Sequence, residues 1–108
     1  MAELKTSPQA RLDKWLWAAR IFKTRHVAAN ACKNGRVARE TTNMKPSSVV
    51  KIGDIISVKK PPITYSFKIL NCIEQRVGAK MVAGVYENVT DARQYELLEM
   101  SRISGFLD

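Results

Sequence analysis

The stretch RLDKWLWAARIFKTR, residues 11–25, sets two tryptophans among five cations. At about 100° per residue, Leu12, Trp15, Leu16, Ala19 and Phe22 share one face, which predicts an amphipathic helix over 12–22. Trp17 lies off that face and is expected to pack under the C-terminal segment, with stacking on a base or ribose as the alternative. Upstream, Ser7 is the expected N-cap and Pro8 the first helical residue. Downstream, HVAANACKNG continues as a second helix capped by Thr24 and stopped at Asn34–Gly35. Val27, Ala28, Ala31 and Cys32 give it a small-residue face, so the two helices form a close hairpin with a turn near Lys23–Thr24. A cation in the first turn of a helix opposes its dipole. Arg25 is therefore expected either to serve a ligand or to meet a local carboxylate such as Asp13.

After Gly35 the period changes. RVARE reads as a short strand and TTNMKPSS as a loop. VVKIGDIISVKK reads as two strand pieces around a Gly53–Asp54 turn. Pro61–Pro62 is expected to interrupt pairing. ITYSFKILNCI alternates Tyr65, Phe67 and Ile69 against Ser66 and Lys68, and AKMVAGVYE is a further strand candidate. TDARQYELLEMSRI is a final helix near residues 91–103, with Thr90 as its cap and Ser104–Gly105 as its end. The expected core is Leu12, Trp15, Leu16, Val27, Ala28, Ala31, Val37, Ile52, Ile56, Val58 and Phe67. The fold class is α+β: a two-helix hairpin, a small sheet from about Arg36 to Val85, and a C-terminal helix.

The charge is segregated. The chain of 108 residues carries a net +8, but residues 11–45 hold nine basic and two acidic side chains, whereas 71–108 hold four and six. A basic half of this kind favours a polyanion, nucleic acid first and an anionic membrane surface second. No apolar run is long enough to span a bilayer, and MAELKTSPQA has no signal-peptide core. Cys32 and Cys72 lie in no metal-ligand pattern and read as buried free thiols, in keeping with a cytoplasmic protein. No catalytic constellation is visible: His26 is the single histidine, and Asp13 and Asp54 have structural roles available in a helix first turn and a β-turn. Neither cofactor nor metal is expected.

Four separated pieces, Arg11-Leu12-Asp13, Thr24-Arg25, Gly35-Arg36-Val37 and VKIGDII at 50–56, resemble in order the ribosomal protein S-four type RNA-binding domain. Within it, RLDKWLWAAR, KTR, KPS, EQR and YENVT resemble the heat-shock protein fifteen family. The resemblance implies an αL-type RNA-binding motif and no catalysis. Its best-known member binds the free large ribosomal subunit carrying a stalled nascent chain. Carried over by position, the implied RNA contacts are Arg11, Lys14, Arg20, Lys23, Thr24, Arg25, Lys33, Arg36, Lys45 and Lys51. Glu40 and Thr41 stand where the superfamily has an Asn-Gly turn, and Glu40 is expected to weaken phosphate binding nearby. The sequence ends at SGFLD without the long basic tail of that member, so the contacts of such a tail are expected to be absent.

The expected organisation is an N-terminal flank at 1–10, an RNA-binding core at 11–60, and a strand extension with the C-terminal helix at 61–108, in one compact unit. Partners are ribosomal RNA of the large subunit, with tRNA as a second candidate, no membrane, and a monomer when free. Two other readings use the same charge: an accessory module of a separate RNA-modifying enzyme, or a DNA-binding protein whose two helices mimic a helix-turn-helix. Arg11, Lys14 and Arg25 lie outside the apolar face, so reversing their charge is expected to spare stability.

Overall fold

A computed structural model describes residues 5–107, with side chains described to residue 102. The chain is α+β as expected, but it enters the fold through strands, not a helix. β1 (Thr6–Ser7) pairs with β8 (Cys72–Ile73), and β2 (Gln9–Arg11) pairs with β5 (Val49–Lys51), both antiparallel. The local pattern explains why Ser7 and Pro8 do not start a helix. Gln9, Ala10 and Arg11 alternate exposed, buried, exposed, the period of two that a half-buried strand requires.

α1 (Leu12–Ala18) begins directly at β2 and stops a turn earlier than its periodicity predicts. The Ile21 amide donates to the Leu16 carbonyl and the Arg20 amide to the Trp17 carbonyl, both at 3.0 Å. That pair of bonds is a Schellman closure, which requires a left-handed residue after the C-cap. Arg20 supplies it at φ 64°. The expected face still enters the core: Leu12, Trp15, Leu16 and Ala19 are fully buried and Phe22 nearly so.

α2 (Arg25–Lys33) follows the sequence reading at both ends. Thr24 Oγ1 accepts from the Val27 amide at 3.0 Å. At the other end Gly35 takes φ 71° and the Arg36 amide closes onto the Ala31 carbonyl at 2.9 Å, the same closure as on α1. Ala28, Ala31 and Cys32 face the core, and their small size lets α2 lie close to α1.

The main sheet is antiparallel, in the order β4 (Thr42–Asn43), β3 (Val37–Arg39), β6 (Ile55–Lys60), β7 (Ile63–Ile69), β9 (Tyr86–Asn88). Several expectations are corrected here. TTNMKPSS is not all loop, since it contains β4. β5 and β6 are strands on either side of the Gly53–Asp54 turn, as expected, and they join different sheets. Pro61–Pro62 does not interrupt pairing: the cis-linked pair is the two-residue turn of the β6–β7 hairpin, and Lys60 still pairs with Ile63. Residues Ala79–Gly84 form a 3-10 helix, so of the expected strand only Tyr86 and Glu87 are extended, in β9.

Val27 and Ile52 are not core residues. Val27 sits one step around α2 from Ala28, beyond the edge of the contact with α1, and is 44% exposed. Ile52 lies in the turn between β5 and β6 and is 58% exposed. The nine other expected core residues are buried.

The final helix, α3 (Ala92–Leu107), continues through Ser104–Gly105. Its cap is Asp91, whose Oδ1 accepts from the Arg93 amide at 2.9 Å. Thr90 instead ties the helix entry to the sheet, its Oγ1 accepting from the Ser66 amide at 2.9 Å.

Candidate nucleic-acid interface

The interface begins with one buried acid. Asp13, at the start of α1, is 3% exposed. Its Oδ1 accepts from the Lys14 amide at 2.8 Å and from Arg11 Nε at 2.9 Å, while its Oδ2 lies 3.6 Å from Arg25 Nε. A buried carboxylate needs compensation by charge or hydrogen bonds, and the two arginines provide it. Each spends only its Nε on Asp13. Among the described residues, their Nη groups have no protein acceptor, and both side chains stay about half exposed, at 51% and 47%. Asp13 thus fixes two guanidinium forks side by side, with spare donors of the geometry that pairs with phosphate oxygens. The first-turn cation of α2 meets the carboxylate that the sequence offered as one explanation. The expectation that reversing Arg11 or Arg25 spares stability is corrected accordingly: a glutamate at either position would face Asp13.

A second group lies beside the C-terminal end of α2. Lys33 and Lys45 line one cavity of about 350 Å³ with Gly35, Asn43 and Pro46. The loop holding Lys45 is pinned to α1, since the Asp13 amide donates to the Pro46 carbonyl at 3.1 Å and the Leu12 amide to the Ser48 carbonyl at 2.8 Å. Cys32 forms part of the same cavity. Its thiol is pushed up to about 11, first by burial and then by the Asp13 charge, which keeps it protonated near neutral pH.

The remaining predicted residues are spread more widely. Lys51 shares the outward face of the β2–β5 ribbon with Arg11, through the Gln9–Lys51 and Arg11–Val49 pairs. Lys14 turns the other way, 3.8 Å from Glu74. Arg20 reaches toward the Val77 carbonyl at 3.4 Å. Lys23 is exposed in the connection between the helices, and Arg36 is exposed just before β3. The structure therefore gathers Arg11, Thr24, Arg25, Lys33, Lys45 and Lys51 around α2 and the β2–β5 ribbon. The Lys14 and Arg20 side chains are directed elsewhere, toward Glu74 and the Val77 carbonyl.

Two arginines outside the predicted set hold this surface in place. Arg76 Nη1 donates to the carbonyls of Trp17, Phe22 and Lys23 at 3.2, 3.1 and 3.0 Å, fixing the connection between α1 and α2. Its guanidinium lies 6.0 Å from the Trp17 ring, so the segment beside Trp17 is the one that follows β8 and not the C-terminal helix. Arg39 Nη1 bonds Asp54 Oδ2 at 3.1 Å and the Val49 carbonyl at 3.3 Å, joining β3 to the β5–β6 turn. In the sequence, Arg76 stood in the EQR element, but nothing there tied it to carbonyls more than fifty residues away.

Among the described residues, two with side chains occupy the left-handed region, Arg20 at φ 64° and Glu40 at φ 58°, the latter in the two-residue turn between β3 and β4. Such a backbone costs roughly 1–2 kcal/mol for a non-glycine residue. Arg20→Gly and Glu40→Gly should each raise stability by about 1 kcal/mol once the greater freedom of glycine in the unfolded chain is counted. In a thermal melt that is a rise of about 4–8 °C. Only Arg20→Gly should weaken RNA binding. A fall in melting temperature for Arg20→Gly would show that its side chain, and not its backbone, dominates there.

Residues 10–56 match the S4 domain. The heat shock protein 15 homolog of Aeromonas salmonicida is 35% identical over 102 residues, 94% of this chain and 76% of that protein. Heat shock protein 15 of Escherichia coli K12 is 32% identical over 88 residues, 82% of this chain and 66% of that one, just under two thirds of its length. The RQC P-site tRNA stabilizing factor of Listeria monocytogenes is 30% identical over 86 residues, 80% of this chain and 92% of that protein. The trimeric structure of Vibrio cholerae heat shock protein 15 superposes with a TM-score of 0.75 at 33% identity, covering 93% of this chain and 99% of that one. The architecture is the α+β, S4-type RNA-binding fold. The chain belongs to the heat shock protein 15 family.

Proposed function

We propose that this chain is a non-catalytic, cytoplasmic protein that docks on structured ribosomal RNA of the large subunit and acts in quality control of stalled ribosomes. One observation carries the RNA-binding surface: the buried Asp13 carboxylate holding the half-exposed Arg11 and Arg25 side by side. Their free Nη donors pair with phosphates, and Lys33, Lys45 and Lys51 extend the positive surface along α2 and the ribbon. Lys14, Arg20, Lys23 and Arg36 add charge at its margins, and Thr24 holds the start of α2. Such contacts read shape and backbone, which suits folded RNA. The division into a core at 11–60 and an extension at 61–108 belongs to this reading, with Arg76 of the extension supporting the core. The ribosomal setting, and tRNA as a further contact, rest on the relatives, among them a protein named as a P-site tRNA stabilizing factor. The binding unit is one chain, whereas the Vibrio relative is trimeric; sedimentation of the free protein separates the two states.

The test is ultraviolet crosslinking of the full chain to ribosomal subunits, with the crosslinked nucleotides mapped, beside equilibrium binding to matched structured RNA and DNA duplex at fixed salt. Crosslinks in large-subunit RNA and a clear preference for structured RNA are expected. Equal binding to DNA, or crosslinks confined to the small subunit, would overturn the proposal.

A further inference from the structure

We propose that the cleft on the opposite flank of α2 from Arg25 holds one unstacked nucleobase of the bound RNA. This rests on the RNA-binding reading above and adds a site to it. At about 100° per residue, Arg25 and Cys32 border one side of the helix, and Val27, Asn30 and Asn34 border the other. On that second side lies a cleft of about 260 Å³, open to solvent.

Its floor is apolar. Phe22 and Ala31 form the base and the exposed Val27 one wall. The Phe22 ring is already fixed, with Lys60 Nζ 4.7 Å from its centroid and bonded in turn to the Ile21 carbonyl. The floor is therefore preformed; Phe22 is only 9% exposed and carries Lys60 over its ring, so a base would lie against the exposed Val27 side chain and the edge of Phe22 and not on an open aromatic face. The rim is polar. The Asn34 amide makes no side-chain hydrogen bond among the described residues, and Asn30 uses only its Nδ2, 3.2 Å from His26 Nε2. These two amides stand one helical turn apart and present free donors and acceptors, the complement of the edge of a base. Arg36 and Lys59 lie at the same rim, both exposed and neither in an ion pair among the described residues. They supply the charge for the phosphate of that nucleotide. No carboxylate lines the cleft. An apolar floor, free amides and unpaired cations together fit a nucleotide better than a bare phosphate, which has no use for the floor, or an acidic peptide, which has no use for both amides of the rim.

The cleft gives the protein a dependence on an extruded base, which a surface of arginines on phosphates lacks. The experiment is an NMR titration of the full chain with 5′-AMP and 5′-UMP, beside ribose 5-phosphate. The nucleotides should shift the Val27 methyls and the Asn34 side-chain amide, while the sugar phosphate moves only Arg36 and Lys59. In RNA binding, Val27→Asp should weaken affinity about tenfold, through loss of the apolar wall against the base. An aspartate in the first turn of α2 favours the helix, so the fold should survive. Equal shifts from nucleotide and sugar phosphate, or unmoved Val27 methyls, would overturn the site. If Arg25→Gln weakens RNA binding while Val27→Asp does not, the cleft is refuted and the RNA-binding reading stands.

Discussion

Replacing Trp15 with alanine is expected to destabilise the protein by about 3–5 kcal/mol, the range for truncating a buried tryptophan. Trp15 is fully buried, and its indole Nε1 donates to the Asn71 carbonyl at 3.0 Å. Its ring meets Tyr86 edge-on at 6.3 Å, and Tyr86 meets Phe67 edge-on at 4.8 Å. The side chain therefore joins α1 to the far edge of the main sheet, across more than fifty residues of sequence. Truncation removes that packing and leaves the Asn71 carbonyl without its donor. Urea denaturation followed by far-ultraviolet circular dichroism measures the loss. Trp15→Phe keeps most of the ring but not the N–H, and should cost about 1–2 kcal/mol. A loss below about 1 kcal/mol for Trp15→Ala would mean that the core is not organised around α1.

The second large effect is on binding. Arg11→Gln with Arg25→Gln is expected to lower affinity for structured ribosomal RNA about a hundredfold, each lost charge-assisted contact accounting for about tenfold. The same double change strips a buried carboxylate of both its cations, and should also cost about 1–3 kcal/mol of stability. Adding Asp13→Asn separates the two effects. An amide at position 13 no longer needs the cations, so the triple variant should recover most of the stability and none of the affinity. Recovery of affinity in the triple variant would show that the arginines act on the fold and not on RNA.

Residues close in sequence were the legible ones. The apolar face of α1, the Thr24 cap and the Gly35 stop follow from helical spacing and from the few residue types that satisfy helix ends. The basic surface was legible as composition, because its cations crowd into 11–45. What the sequence hid was mostly pairing at a distance. β2 finds β5 some forty residues later, and that pairing turns an expected helix start at Ser7–Pro8 into strands. Arg76 reaches back to three carbonyls of the α1–α2 connection for which it carries no local signature. The Asp13 node was half visible. Arg25 in a first turn required some explanation, but the sequence could not choose between ligand and carboxylate, and the geometry supplies the carboxylate while leaving the Nη donors for a ligand. Val27 was misread because α2 packs on α1 through Ala28, Ala31 and Cys32, and a residue one step around the helix falls outside that contact.

Whether this face binds RNA through phosphates is tested most directly by the salt dependence of binding. With about five phosphates neutralised, log K for structured ribosomal RNA against log[salt] should slope by about −3.5 to −4.5. The slope for Arg11→Gln with Arg25→Gln should be less steep by about 1.4–1.8, two contacts fewer. A wild-type slope near zero, or an unchanged slope in the double variant, would contradict binding through phosphates.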